Sequence, residues 1–441
     1  MSLPPVAYIN ARLLDPASGL DAPGALLSRD GLIADLGPQL FVNGVPEDMT
    51  VVDCGGRVLC PGLIDMRVFI GEPGHEHKET LASASEAAAA GGVTTIIMQP
   101  DTDPVIDEVA LVEYVKRQAR DKAKVRIHPM AAITKGLEGR NMAELGLLAA
   151  ADAVAFTDGH YTVADSQVMR RALSYASAFG LLLCQAPRDP SLSRHGVMNE
   201  GEASMRLGLP GEPAISEVMG LERDLRLVEL TGGRYHAATL STAASVEAMR
   251  EARRRELPVS AAVAIHNIAL NESSVGEYRT FAKTEPPLRV EDDRAAMVQG
   301  LADGTIEVIC SSHDPQDPES KRLPFEQAAT GVIGLETLLP LALELYHNRA
   351  MTLIQVIGCM TAKPASLLSL RGGKLTVGAP ADLLIFDPNR PWRIREDAFH
   401  SKSKNSPYEG RPVQGRPWQT VVGGRTVFAD DEQGAGACPT R

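Results

Sequence analysis

The sequence predicts an α/β protein, a (β/α)8 TIM-like barrel with a small β-sandwich domain built from both chain ends. Between residues 61 and 368, short apolar runs alternate regularly with helix-like runs, and eight such pairs are what a closed barrel needs. At both chain ends, short strand-like runs are separated only by Gly and Pro. We therefore predict a barrel over 61–368, with 1–60 and 369–441 as the two parts of the sandwich.

The barrel strands are predicted from apolar, β-branched runs that turn residues bound. They are 63–70, 93–98, 125–131, 153–157, 181–185, 234–240, 258–265 and 306–311. The helices between them include Glu79–Ala90, Glu108–Asp121, Asp165–Gly180, Ile215–Leu230, Thr242–Glu256 and Glu291–Asp303. A doubly wound sheet also alternates strands and helices. It usually has about five to seven strands and a Gly-rich phosphate loop after the first, and no such loop follows 63–70.

The predicted sandwich strands recur about every ten residues with Gly and Pro between them. They are Val6–Ile9, Gly24–Leu27, Gly31–Leu36, Thr50–Asp53, Gly373–Gly378, Ala381–Asp387 and Thr420–Phe428. A polar segment, 399–410, lies between the last two and is predicted to be an extended loop.

Composition bounds the function. A net charge of −12 argues against nucleic acid or an anionic membrane as partner. The cysteines are scattered without a CxxC pair, which is typical of a reducing cytoplasm. They are Cys54, Cys60, Cys184, Cys310, Cys359 and Cys438. Because neither a signal-peptide pattern nor an apolar run of about 18 residues is present, we expect a soluble, cytoplasmic protein.

The segment Pro61–Pro73, PGLIDMRVFIGEP, carries the most specific information. It reads as a buried strand that Pro-Gly introduces and Gly-Glu-Pro ends. This frame resembles the first barrel strand of the amidohydrolase superfamily, and most closely that of the dihydroorotases. In that family the segment is roughly PGLIDxHxHLREPG, and its two histidines hold the catalytic metal. Here those positions are Arg67 and Phe69.

The resemblance extends over nearly the whole chain. Further segments similar to the family recur in order at 98–102 (MQPDT), 285–289 (EPPLR), 331–337 (GVIGLET), 375–383 (LTVGAPADL) and 399–410 (FHSKSKNSPYEG). The resemblance implies metal-assisted opening of a cyclic amide, the interconversion of dihydroorotate and N-carbamoyl-L-aspartate. In such a reaction the bound dication lowers the pKa of water and polarises the carbonyl.

Several positions that bind substrate or metal in the family carry other residues here. Where the family has the arginine that binds the substrate carboxylate, this sequence has Gly71. Where the family has the substrate-binding asparagine, it has Asp101. The acidic stretch after the fourth strand reads FTDGH over 156–160. The resemblance implies that Asp158 is the one metal-site carboxylate that survives.

The later strands show the same loss. The fifth-strand histidine of the family corresponds to Gln185. The family's sixth-strand motif HxxHxST reads HAATLST here, over 236–242. Thr239 therefore stands in place of the metal-ligand histidine. The family's eighth-strand motif TDHAPH reads SSHDPQ here, over 311–316. Ser312 therefore stands in place of the general-base aspartate.

These replacements predict a site without catalytic metal or catalytic residues. Arg67 puts a permanent cation where a dication would bind, because guanidinium stays protonated in proteins. Phe69 offers no lone pair, and Gln185 and Thr239 are at best weak oxygen ligands. Such a site would lose most of the roughly 10–16 kcal/mol typical of structural zinc. The vestigial positions are Arg67, Phe69, Asp158, Gln185, Thr239 and Ser312.

Two further expectations concern the remaining polar residues. We expect Arg67 to form a buried salt bridge with Asp158 or Asp65. If a metal such as zinc is nevertheless bound, the reserve of ligands is His75, His77, Asp158, His266 and His313. Otherwise His75 and His77 are expected in a solvated loop, 311–314 in a loop with hydroxyl caps, and His236 and His266 as satisfied core or loop histidines.

The resemblance is greatest to the non-catalytic, dihydroorotase-like subunit of bacterial aspartate transcarbamoylase. It implies a structural partner of the transcarbamoylase catalytic subunit in pyrimidine synthesis, with homo-oligomers expected. The alternative is an active, metal-dependent cyclic amidohydrolase with an atypical metal site. A third hypothesis is that the vacated pocket binds a small metabolite.

Overall fold

The computed structural model describes residues 4–430. Its strands are β1 (Val6–Asp15), β2 (Leu20–Arg29), β3 (Leu32–Gly37), β4 (Thr50–Asp53), β5 (Val58–Pro61), β6 (Leu63–Val68), β7 (Val93–Met98), β8 (Arg126–Pro129), β9 (Leu182–Gln185), β10 (Met198–Asn199), β11 (Gly211–Glu212), β12 (Arg234–Ala237), β13 (Val259–Ala264), β14 (Val308–Cys310), β15 (Leu383–Arg393), β16 (Pro412–Val422) and β17 (Arg425–Ala429).

Its α-helices are α1 (Leu81–Ala90), α2 (Val109–Lys122), α3 (Leu145–Ala150), α4 (Ser166–Ala178), α5 (Pro190–Ser193), α6 (Glu202–Leu207), α7 (Ile215–Thr231), α8 (Ala243–Arg254), α9 (His266–Ala269), α10 (Glu291–Ala302), α11 (Pro318–Lys321), α12 (Leu338–His347), α13 (Leu353–Gly358) and α14 (Ala362–Leu367). Short 3₁₀ helices span Lys135–Leu137, Glu272–Val275, Thr280–Ala282 and Glu396–Ala398.

The middle of the chain is a closed parallel barrel, as predicted. One ladder runs β6-β7-β8 and another β9-β12-β13-β14. Parallel bridges through Phe156 join the two ladders on one side. On the other side Val68 bridges to His313, and the Phe69 amide donates to the His313 carbonyl at 2.8 Å. The barrel wall is therefore continuous around the ring.

The barrel interior is filled by residues that alternate along the strands. Ile64 and Met66 on β6, Leu182 and Cys184 on β9, and Val308 and Cys310 on β14 belong to one buried cluster. Residues two apart on a strand face the same side, so this cluster is the inside of the barrel. A larger cluster packs the outer face of the strands against the helices. All six residues of β6 are buried, as a strand covered on both faces requires.

Each of the six predicted helices is present, with ends that differ by at most two residues. The run predicted as Asp165–Gly180 is α4, Ser166–Ala178. It starts there because Asp165 is an N-cap whose carboxylate accepts from the Gln167 and Val168 amides. The predicted strand at 153–157 is wrong, because only isolated bridges at Phe156 form there.

Strands from both chain ends share one sheet of order β17-β16-β15-β5-β1-β2-β3, with β4 paired to β1. The seam between the two ends is the antiparallel pair β5–β15, where Leu59 faces Ile385. The prediction of one β domain from both ends is thus confirmed. The predicted strand at 373–378 is wrong, because that run forms bends and turns. The domain boundaries at 60 and 368 stay predictions, and Cys438 lies outside the described residues.

Within residues 4–430, no helix is both long and apolar enough to cross a membrane.

Candidate functional site

The barrel mouth is organised around Arg67, which lies at the C-terminal end of β6. Its side chain is only 2% exposed. Its Nη2 donates to the Gly159 carbonyl at 3.3 Å, while its Nε and Nη1 have no hydrogen-bond partner in the protein. No carboxylate of the described chain lies within 4 Å of the guanidinium as an ion-pair partner. Arg67 is therefore a buried cation with one polar contact.

Phe69 separates Arg67 from the solvent side of the mouth. The Phe69 ring stacks on the His160 ring with centroids 3.9 Å apart and an interplanar angle of 9°. The Arg67 guanidinium carbon lies 5.0 Å from the centre of the same Phe69 ring. Stacked rings and a cation over a ring face are both attractive. Phe69 thus contacts both the buried Arg67 and His160, and Phe69 and His160 line the cavity at the mouth.

His160 lies between two carboxyl groups. Its Nε2 is 3.5 Å from Asp101 Oδ2 and 3.5 Å from Asp314 Oδ2. Burial lowers the pKa of His160 to about 3, and the charge of Arg67 adds to this effect. The imidazole is therefore neutral at physiological pH.

The pKa values of the two carboxyl groups beside His160 are raised by their surroundings. Burial raises the pKa of Asp101 to about 7, although the charge of Arg67 opposes the shift. Burial also raises the pKa of Asp314 to about 7, and the nearby Asp101 adds to the shift. Perturbed titratable groups gathered at the mouth of a barrel are typical of a functional site.

Gly159 fits tightly between these groups. Its φ of +63° lies in the left-handed region, and a Cβ there would come within 2.8 Å of the Asp101 carboxyl carbon. A glycine is needed because a larger residue would be strained and would displace Asp101. The same peptide supplies the carbonyl that accepts from Arg67.

A cavity of about 360 Å³ opens at the mouth. Its lining includes Phe69, Lys78, Asp101, His160, Glu285 and Asp314, but not Arg67. The polar loop predicted at 399–410 crosses behind this cavity, and its Asn405 Nδ2 donates to the carbonyls of Asp314 and Gly331 at 3.1 and 3.0 Å. The cavity is mixed in charge and can take a small polar molecule.

Asp158 is committed to the backbone. Its Oδ1 accepts from the Ile133 and Thr134 amides at 2.9 and 3.0 Å, and its Oδ2 accepts from the Thr134 hydroxyl at 2.5 Å. Asp65 likewise accepts from the Arg67 and Ser311 amides through Oδ1. The expected salt bridge of Arg67 with Asp158 or Asp65 is wrong. Backbone and hydroxyl donors hold both oxygens of Asp158, whereas Asp65 accepts amides only through Oδ1 and leaves its buried Oδ2 without a partner in the described chain.

The other vestigial positions are buried but differ in their contacts. Gln185 accepts from the Val163 amide at 2.8 Å and donates to Asp224 at 2.5 Å. Thr239 is 2% exposed, and its hydroxyl has no partner in the described chain. Ser312 has a φ of +47°, which is unusual for a non-glycine residue.

The reserve ligands do not converge. His75 and His77 contact each other edge to face at 5.9 Å in a loop, with His77 exposed. The buried His313 accepts the Gly334 amide at Nδ1, and its Nε2 lies 3.6 Å from Glu79 Oε2. His266 is buried too, but both its ring nitrogens lack a protein partner. Its prediction as a satisfied histidine is wrong, whereas that for His236, paired with Ser260 at 2.8 Å, is right.

The residues present do not fit the metal that the fold implies. Throughout 4–430, no group of three or more His, Cys, Asp or Glu side chains is arranged to hold a metal ion. A buried guanidinium and a phenyl ring stand at the end of β6, and neither can ligate a cation. These side chains give no basis for metal-assisted chemistry at the end of β6.

Sequence reasoning missed His160 and its contact with Asp314. His160 was only the last residue of the FTDGH segment, and Asp314 only part of the loop after the eighth strand. The available indication was chemical, since two acids and a histidine are introduced after three strands whose C-terminal ends meet at one barrel mouth.

Comparisons with known proteins agree with the fold. A family model described as dihydro-orotase-like matches residues 56–245. A dihydroorotase of Anaplasma phagocytophilum (strain HZ) is 45% identical over 426 residues, which cover 96% of this chain and 95% of that protein. A dihydroorotase of Ehrlichia canis (strain Jake) is 43% identical over 425 residues, with the same coverage.

Solved structures support the architecture alone. An L-hydantoinase (dihydropyrimidinase) from Arthrobacter aurescens matches with a TM-score of 0.86 at 24% identity, covering 96% of both chains. A dihydropyrimidinase from Brevibacillus agri NCHU1002 matches with a TM-score of 0.83 at 19% identity, covering 96% of this chain and 95% of that one. With relatives above 40% identity along nearly its whole length, the chain belongs to the dihydro-orotase-like family.

Proposed function

We propose that this dihydro-orotase-like protein does not hydrolyse cyclic amides by a metal route and serves as a structural partner of aspartate transcarbamoylase in pyrimidine biosynthesis. The observation that carries the proposal is Arg67, a guanidinium 2% exposed at the end of the first barrel strand. A fixed positive charge there repels a dication, and the stack of Phe69 on His160 fills the space beside it.

The retained barrel supports a role that depends on shape. The strands close into a ring. Buried apolar side chains form one cluster inside the ring and another between the strands and the helices. A subunit that presents a surface to a partner needs this framework but needs no bound metal. This separates the requirements for folding from those for catalysis.

The second candidate is an active cyclic amidohydrolase that interconverts dihydroorotate and N-carbamoyl-L-aspartate with zinc at an atypical site. Its support comes from relatives named dihydroorotase that align with 96% of this chain. Three of them are 41–45% identical to it. These relatives favour the second candidate over the first, whereas the side chains at the barrel mouth favour the first. The perturbed Asp101 and Asp314 would be the acid–base groups of such an enzyme.

One assay separates the two candidates. Protein purified without chelator is assayed for ring opening of dihydroorotate and ring closure of N-carbamoyl-L-aspartate, with and without added zinc. The first candidate predicts no turnover above a heat-inactivated control. Turnover that a chelator abolishes and zinc restores would establish the second.

Assembly is tested separately. The chain is co-expressed with the aspartate transcarbamoylase catalytic subunit of the same organism, and the mixture is analysed by size-exclusion chromatography with light scattering. We expect a stable complex whose transcarbamoylase activity exceeds that of the isolated catalytic subunit. Separate elution with unchanged activity would contradict the partner role.

A further inference from the structure

Arg67 forms no ion pair within residues 4–430. Two of its three guanidinium nitrogens, Nε and Nη1, are buried without a protein partner. Among the described residues the guanidinium makes one hydrogen bond, to the Gly159 carbonyl at 3.3 Å, which is longer than the usual range. A buried charge is strongly unfavourable unless it is paired and hydrogen-bonded.

Other unpartnered polar groups lie at the same end of the barrel. The Thr239 hydroxyl and both ring nitrogens of His266 have no hydrogen-bond partner in the described chain. Both residues are 2% exposed, and they follow β12 and β13, two paired strands. Burial lowers the pKa of His266 to about 3, and the charge of Arg67 contributes to this, so the ring lies in the field of the guanidinium.

The nearby acids are engaged elsewhere. Asp158 is held by Ile133 and Thr134. Asp65 accepts from the amides of Arg67 and Ser311 through Oδ1 alone, its Oδ2 has no hydrogen-bond partner in the described chain, and it forms no ion pair with Arg67 there. Asp101 is the acid whose pKa responds to Arg67, but its carboxyl group lies 3.5 Å from His160 Nε2 and forms no ion pair with the guanidinium in the described chain. Arg67 therefore has no ion-paired carboxylate in the described chain, while the unpartnered groups of Thr239 and His266 lie at the same end of the barrel.

We propose that the inner end of the barrel mouth binds a small inorganic anion of the halide type on Arg67, with Thr239 and His266 as the accompanying donors. An anion would pair the guanidinium and give its free N–H groups an acceptor. The Thr239 hydroxyl and one His266 N–H are further donors, and neutral imidazole needs no change of charge to act so.

The size limit follows from the stack above the site. Phe69 and His160 line the mouth cavity, whereas Arg67 does not. A ligand on Arg67, which is 2% exposed, therefore lies in buried space outside the mouth cavity, which favours a compact ion over a metabolite. The site replaces a cation held by neutral and anionic ligands with an anion held by a cation. It is independent of the transcarbamoylase partnership and holds in either candidate function.

The direct test is crystallographic. Wild-type crystals grown in sodium bromide are measured at the bromine absorption edge. We expect one anomalous peak within hydrogen-bonding distance of the Arg67 guanidinium. Density there that carries no anomalous signal, and is therefore water, would overturn the proposal. The experiment needs no variant, so a folding defect cannot obscure it.

Solution binding provides the second test. Thermal midpoints are followed against bromide at constant ionic strength, with gluconate as the large replacement anion. We expect saturable stabilisation of the wild type, and an apparent Kd at least about tenfold weaker in Arg67→Met. Arg120→Met is the matched control, because Arg120 is 74% exposed in its side chain and should leave the bromide response unchanged. Equal responses in all three proteins would contradict the site.

A third variant tests the sign of the field. Asp101→Asn removes an acid in electrostatic contact with Arg67, so above pH 7, where Asp101 is mostly ionised, it should strengthen bromide binding about threefold to tenfold. Weaker binding in Asp101→Asn would show that Asp101 helps to form the site and would overturn the assignment to an anion.

Discussion

Two arginines in this protein are equally buried and differently surrounded. Arg289 and Arg67 are each 2% exposed. Arg289 donates to Ser241, to Asn199 and to the carbonyl of Glu212, and its Nη2 lies 3.2 Å from the Glu212 carboxylate. Arg67 has one contact to a carbonyl. Burial alone therefore does not identify a structural arginine, whereas the number of its partners does.

The difference follows from what each arginine holds together. Arg289 joins the segment after β13 to β10, β11 and the loop after β12, so its partners belong to the scaffold. Arg67 joins only neighbouring parts of the mouth. Buried polar atoms without a partner occur at both places, but at the mouth they include two nitrogens of one charged side chain, Arg67.

The largest expected effect tests the structural arginine. Arg289→Met should lower the free energy of unfolding by about 3–5 kcal/mol, because it removes one partner of a buried charge network around Glu212. Urea denaturation followed by circular dichroism measures it. A loss below about 1 kcal/mol would mean that Arg188, which also pairs with Glu212 at 2.6 Å, suffices alone.

The next effect concerns pH. Folding raises the pKa of Asp314 from 3.8 to about 7, so the folded state binds a proton between these values that the unfolded chain has released. The contribution of Asp314 to stability therefore falls as pH rises through this window and stays low above about pH 7.

Asp314→Asn should remove this dependence and raise stability at pH 8 by roughly 1–3 kcal/mol, with little gain at pH 4. Urea denaturation at a series of pH values measures it. Asp121→Asn is the control, because Asp121 is 58% exposed in its side chain. An equal gain at both pH values would contradict a raised pKa.

The smallest effect is expected at the second arginine. In halide-free buffer, Arg67→Met should leave stability within about 1 kcal/mol of the wild type or raise it, because no charged partner is left unpaired. Differential scanning calorimetry of both proteins measures it. A loss comparable with that of Arg289→Met would remove the distinction between the two arginines.

The sequence was sufficient to predict the barrel and the sheet shared by both ends, because apolar runs with flanking Gly and Pro mark their elements. The run Val93–Met98 was predicted with its observed bounds. The prediction of a fourth strand at 153–157 was wrong because these residues form only isolated bridges at Phe156. The run 373–378 failed because glycines at both its ends, each with positive φ, accompany bends and turns there.

At the mouth, the replaced positions could be predicted but their contacts could not. Asp158 was expected to pair with Arg67, yet local amides at Ile133 and Thr134 hold it. Such competition depends on backbone geometry that periodicity does not encode. The contact of His160 with Asp101 and Asp314 needs loops after three different strands to converge, which only the folded chain reveals.

The central claim is that Arg67 and Phe69 have removed the metal site at the end of β6. The most direct measurement is the zinc content of the double variant Arg67→His/Phe69→His beside the wild type, determined by elemental analysis after purification without chelator and dialysis against zinc. We expect well under one zinc per wild-type chain and a higher content in the variant. One tightly bound zinc per wild-type chain, located at the barrel mouth, would contradict it.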